Sequence, residues 1–188
     1  MPNGRRLLAL GGIVGPVGFV AAWVWSGVAT AGYSPVHQAI SRLAALGAPT
    51  RVAMTAGLVC FGLGVSAYSV ALRASLPGRA WMAAATTGLA SLGVASFALN
   101  TSSAIDNVHA GFATVGYASL ALTPLLAAHS LTAFGQRRER AASLALGSLC
   151  AVCLAATALG PAHGLFQRIG LTLGDLWLVA SAIAILGW

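Results

Sequence analysis

The chain has 188 residues, of which 58% are hydrophobic and only 7% charged, with a formal net charge of +7. An ordinary soluble domain carries about 25% charged residues, so this composition excludes a water-facing surface over most of the molecule. All of the basic charge is arginine. With no clustered basic patch and no interleaved stacking aromatics, nucleic acid is not an expected partner. The arginines read instead as topology signals and headgroup contacts.

Apolar segments of about 20 residues, each long enough to cross roughly 30 Å of hydrocarbon, recur along the chain. The first spans about Leu7–Thr30. It is longer than the roughly 7–15 apolar residues of a signal-peptide core, so it reads as a retained helix. Gly11 and Gly15 make a GxxxG pair, Pro16 predicts a kink, and Trp23 and Trp25 suit an interface. The next segment, Gly32–Pro49, is too short and too polar to span. Ser34-Pro35 is a helix-start signal, with Val36, Ile40 and Leu43 on one face and His37 and Ser41 on another, beside Arg42. This pattern predicts a short amphipathic helix on the membrane surface or over the mouth of a bundle.

Further spans are expected at about Val52–Leu72, Ala80–Leu99, Ile105–Ala133, Ala141–Gly160 and Ile169 onward. Pro77-Gly78-Arg79 and Gln136–Arg140 are polar connectors, and Ser103-Ala-Ile-Asp106 matches a capping box opening the fourth span. Gly170 and Gly174 form a second GxxxG pair. Cys60, Cys150 and Cys153 all lie in apolar runs and read as small packing residues. The fold class is therefore all-α: a single domain of six transmembrane helices with a short amphipathic helix after the first.

Six spans put both termini on one side. With that side cytoplasmic, seven arginines (5, 6, 73, 79, 137, 138 and 140) face the cytoplasm and three (42, 51 and 168) face outward, as the positive-inside rule prefers. The expected location is the cell membrane, multi-pass, with cytoplasmic termini. The outer end then collects His37, Ser41, Arg42, Asp106, His109, His163, Gln167 and Arg168.

Asp175 falls about two turns into the sixth helix. An acid there costs a few kcal/mol unless hydrated or paired. Arg168, Arg42 or an outer histidine is its expected partner, and its side chain is expected to face the bundle interior. Each of these residues also has a plain reading: Asp106 as a helix cap, His37 on a wet helix face, His163 in a loop. Histidines with acids at one bundle mouth could hold zinc, but their spacing is free and no HExxH or similar signature is present. No metal ligand is assigned, and no cofactor follows from the sequence.

Gly32-Tyr33-Ser34-Pro35 followed by Ile40-Ser41-Arg42-Leu43, His109 opening the fourth helix, and Gly164-Leu165-Phe166-Gln167-Arg168 leading to Trp177 resemble the prokaryotic domain-of-unknown-function 998 family of integral membrane proteins. The resemblance covers nearly the whole chain. Members of that family often carry an acid where this chain has His37-Gln38, and glutamate where it has Arg42. The resemblance implies about six helices and no activity.

The functional expectation is a pocket at the outer end of the bundle that binds an apolar or lipid-like molecule. His37, Ser41, Arg42, His163, Gln167 and Arg168 are the candidate ligand-binding residues. Asp106, His109 and Asp175 are the candidate acid–base set, suited to terpenoid cyclisation or isomerisation or to lipid hydrolysis. The alternative is a non-catalytic membrane protein: a small transporter, or a packing subunit whose GxxxG faces would also serve a homo-oligomer.

Overall fold

A computed structural model describes the backbone of residues 2–187 and the side chains of 4–187. The described residues are helical, in the order α1 (Pro2–Ala29), a 3-10 turn (Ile40–Ala44), α2 (Arg51–Ser75), α3 (Ala80–Ser96), α4 (Ser103–Ala133), α5 (Arg137–Ala156) and α6 (His163–Gly187). Each helix packs on its neighbours in sequence and α6 closes on α1, giving a ring of six. Five of the helices are long and apolar enough to cross a membrane. The other, α3, has 17 residues and is about 26 Å long.

Close backbone contact sets the α1–α2 interface. A Cβ on Gly11 would run into the Gly64 carbonyl, and one on Gly64 would meet the Gly11 carbonyl oxygen at 2.7 Å and Gly15 Cα at 2.9 Å. On α6, Gly170 is filled by Leu154 of α5 and Gly174 by Leu120 of α4. Both GxxxG pairs are thus occupied by helices of the same chain.

The segment after α1 departs from the expected amphipathic helix. It forms one turn at Ser34–Gln38 and then the five-residue 3-10 turn, whose Ile40, Leu43 and Ala44 are buried. The reason lies in its hydrogen bonds. A continuous α-helix would need the carbonyls of Pro35, Val36 and Gln38 for its own i→i+4 ladder. Here Pro35 and Gln38 accept from Arg168, Val36 accepts from Leu165 N–H at 3.0 Å, and the Ile40 amide donates to Gln167 Oε1 at 2.8 Å. The α6 side has taken the bonds that a helix would have used.

Other boundaries shift for local reasons. Gln136–Arg140 is not a connector: Arg137 opens α5, with Gly135 at φ 67° making the turn before it. His163 is the first residue of α6, which carries Gln167 and Arg168 onto the helix. The cap of α4 is Ser102 rather than Ser103, its Oγ accepting from Ile105 N–H at 3.3 Å.

Candidate functional site

One end of the ring is organised around Arg168. The residue is 8% exposed. Its Nη1 lies 2.7 Å from the Pro35 carbonyl, 3.0 Å from that of Gln38 and 2.8 Å from that of Gly164. Its Nη2 donates to the Tyr33 hydroxyl, and the guanidinium lies over the rings of Trp23 and Tyr33, 5.4 Å from each centroid. The charge is balanced by carbonyl dipoles and aromatic faces, and only Nε lacks a partner. Burial pushes the Tyr33 hydroxyl above the usual tyrosine range, against the pull of Arg168, so it remains a neutral phenol. Gly164 permits the approach, since a Cβ there would strike the carbonyls of Pro35 and Gln38.

Beneath this clasp lies a cavity of about 60 Å³ between the helices. A single water needs about 10–15 Å³ on this measure, so the space holds a few waters or one end of a small molecule. Most of its wall is apolar, including Phe19, Phe61, Phe112 and Leu120. The polar positions are Ser41, Thr87, Ser91, His109, Tyr117 and Gln167. Thr87 donates to Ser119 Oγ and Ser91 to the Leu58 carbonyl, so both are committed to the fold. Gln167 accepts from the Ile40 amide and donates to the Tyr117 hydroxyl.

His109 differs from the rest. It is 4% exposed, and its Nδ1 stands 2.6 Å from the Phe97 carbonyl. A carbonyl only accepts, so Nδ1 carries a proton, and in that tautomer Nε2 is the acceptor. Nε2 is buried and has no partner. An unsatisfied buried acceptor costs about 1–3 kcal/mol, and the His109 side chain is part of the cavity lining.

The remaining candidate residues are dispersed. Asp106 Oδ1 accepts from the amide of Asn100, which sits at φ 65°, so the carboxylate holds the turn into α4. His37 Nδ1 pairs with the Pro161 carbonyl at 2.8 Å on the exposed surface. Arg42 is exposed and His163 half-buried at the start of α6.

Asp175 faces the bundle interior, 4% exposed, but neither oxygen has a partner. None of the expected partners, Arg168, Arg42 or an outer histidine, bonds to Asp175. Arg168 and Asp175 lie seven apart, about 10 Å along the axis, and Arg168 turns the other way, toward the loop carbonyls. Asp175 lies one heptad after Arg168, which sits over Trp23 of α1, and one heptad before Ala182, which abuts Gly12, and it is near Cys150 of α5. It borders neither cavity described for this chain. Among the described residues no group of three His, Cys, Asp or Glu side chains is placed to hold a metal ion.

Ser41, His109 and Gln167 therefore share the cavity, while Arg168 holds its roof. Sequence reasoning missed Tyr33 and Tyr117. The signal for Tyr117 was present: His109, Ala113, Gly116, Tyr117 and Leu120 recur at helical spacing, and all line the cavity.

A closed ring of long apolar helices with a polar clasp at one end defines an all-helical, multi-pass membrane protein. Within that class, residues 13–184 match the model of the family described as Protein of unknown function (DUF998), and the chain belongs to that family. No curated protein and no solved structure matches it. Of the residues on which the resemblance to that family rests, Tyr33, Pro35, Gly164 and Arg168 lie in the clasp, and Ile40, Ser41, His109 and Gln167 line the cavity.

Proposed function

We propose that this protein crosses the cell membrane six times, with both termini in the cytoplasm, and holds a small amphiphile in the cavity beside His109. The ligand is an apolar body carrying one hydrogen-bond donor, such as a hydroxyl. The observation that carries the reading is the buried, unpartnered Nε2 of His109, a side chain that lines a mostly apolar cavity. A ligand hydroxyl would satisfy it while the aromatic lining takes the apolar body. Ser41 and the Tyr117–Gln167 pair supply further polar contacts. If the bound molecule reacts, His109 as base and the Tyr117 hydroxyl as acid are the groups at hand for proton transfer, with Asp106 committed to Asn100 and Asp175 away from the cavity.

Normal alcohols and alkanes of equal chain length test the reading by thermal unfolding. A ligand that binds only the folded state raises stability by RT ln(1 + [L]/Kd). Alcohols are expected to raise the melting temperature more than alkanes do, and His109→Leu is expected to remove the difference. Equal shifts for both series, or a preference that survives in His109→Leu, would rule the reading out.

The six-span topology supports the placement of the cavity at the outer end. It takes α3 as the sixth span, its 17 residues falling at the short end of the 17–25 that cross a bilayer. Reporters fused in the α2–α3 and α4–α5 connectors are expected to read cytoplasmic, and one in the α3–α4 connector to read external. A cytoplasmic signal from the α3–α4 connector would remove α3 from the spans and place His109 on the inner side.

A further inference from the structure

The larger cavity, about 310 Å³, lies at the opposite end of the ring from His109. On α4 its lining residue is Leu131, 22 residues and about 33 Å beyond His109. Its wall is formed mainly by Leu72, Leu76, Leu146, Trp177 and Ile185. The serines and the indole on the wall are already paired. Ser75 donates to Ala71, Ser181 pairs with the Tyr68 hydroxyl at 2.6 Å, and Trp177 Nε1 donates to Ser143 at 2.8 Å. The interior therefore offers apolar surface with no polar demand of its own.

The rim is different. Gln136 and Glu139 line the cavity where α5 begins. The same helical turn carries Arg137, Arg138 and Arg140, all exposed. Three positive charges against one negative leave this turn at +2. The cavity's own polar rim is Gln136 and Glu139, and the arginines flank it on the same turn. Apolar volume therefore lies beside a net positive surface, which suits a molecule with an apolar tail and an anionic head.

We infer that this cavity holds the acyl chain of an anionic phospholipid, with its phosphate at Arg137, Arg138 and Arg140. Glu139 would accept from a headgroup hydroxyl, which favours phosphatidylglycerol over an anionic lipid without one. The seating is distinct from the His109 cavity and independent of what that cavity binds.

The test uses the full chain in vesicles of equal phosphatidylglycerol and phosphatidylcholine, with retained lipid read by native mass spectrometry. The wild-type chain is expected to retain phosphatidylglycerol about tenfold over phosphatidylcholine. Arg137→Gln/Arg138→Gln/Arg140→Gln alters only exposed side chains and is expected to abolish that preference. Ala180→Phe fills the tail cavity and is expected to reduce retention of both lipids. No preference in the wild type, a preference that persists in the triple variant, or unchanged retention in Ala180→Phe would each overturn the proposal.

Discussion

Arg168→Ala is expected to cost about 3–5 kcal/mol through its lost charge-assisted hydrogen bonds and the cavity it leaves. The guanidinium satisfies the carbonyls of Pro35, Gln38 and Gly164 and the Tyr33 hydroxyl at once. Removing it leaves these groups without their donor and leaves a hole between Trp23 and Tyr33. Each hydrogen bond to a charged group is worth about 1.5–3 kcal/mol, less than additively because the acceptors share one donor. In detergent this should appear as a fall in melting temperature of roughly 10 °C or more.

Arg168→Lys keeps the charge but loses the planar fork, so it should fall between the two. Tyr33→Phe removes one acceptor and should cost about 1 kcal/mol. A melting temperature for Arg168→Ala within 2–3 °C of wild type would mean that the loop is held by something other than Arg168.

The second large effect is at the α1–α2 contact. Gly64→Val should prevent these helices from closing. Even a single Cβ at Gly64 would sit 2.7 Å from the Gly11 carbonyl oxygen and 2.9 Å from Gly15 Cα. Both are backbone atoms, which cannot rotate away as a side chain can. Overpacking commonly costs about 1–3 kcal/mol where side chains can yield, and more is expected where they cannot. Gly64→Ala should lower stability measurably. Gly64→Val should give aggregated or polydisperse protein on size exclusion. Gly111→Ala is the control, because a Cβ at Gly111 meets nothing within 4 Å. A monodisperse Gly64→Val with wild-type stability would contradict the packing described for α1.

These two sites mark the limit of what the sequence discloses. The long apolar runs were legible because a helix that crosses hydrocarbon must satisfy its backbone internally and be apolar along about 20 residues. The GxxxG pairs were legible as close-approach positions, but the sequence does not say which helix fills each one. Ser34-Pro35 did open a turn, yet the helix it predicts stops there. Its carbonyls are taken by Arg168, a residue 133 positions away in the chain. No local pattern carries that information.

Asp175 is a similar case. Its burial was legible from the apolar run around it. Its lack of a partner was not, because Arg168 could turn either way and the Tyr33–Gln38 loop decides the direction. His109 was legible as a candidate from its place at the start of α4. Its tautomer was not, since that depends on the Phe97 carbonyl brought back by the α3–α4 turn. That turn is itself held by Asp106, which the sequence offered both as a helix cap and as one of the acid–base set.

The most direct measurement is an experimental map of the protein in a lipid bilayer, at a resolution that separates solvent from ligand in the cavity beside His109. A bound amphiphile predicts continuous non-protein density among Phe61, Phe112 and Leu120, with its polar end about 2.7–3.2 Å from His109 Nε2. A cavity collapsed by rotated side chains, one holding only water, or a His109 Nε2 bonded to another protein group would contradict it.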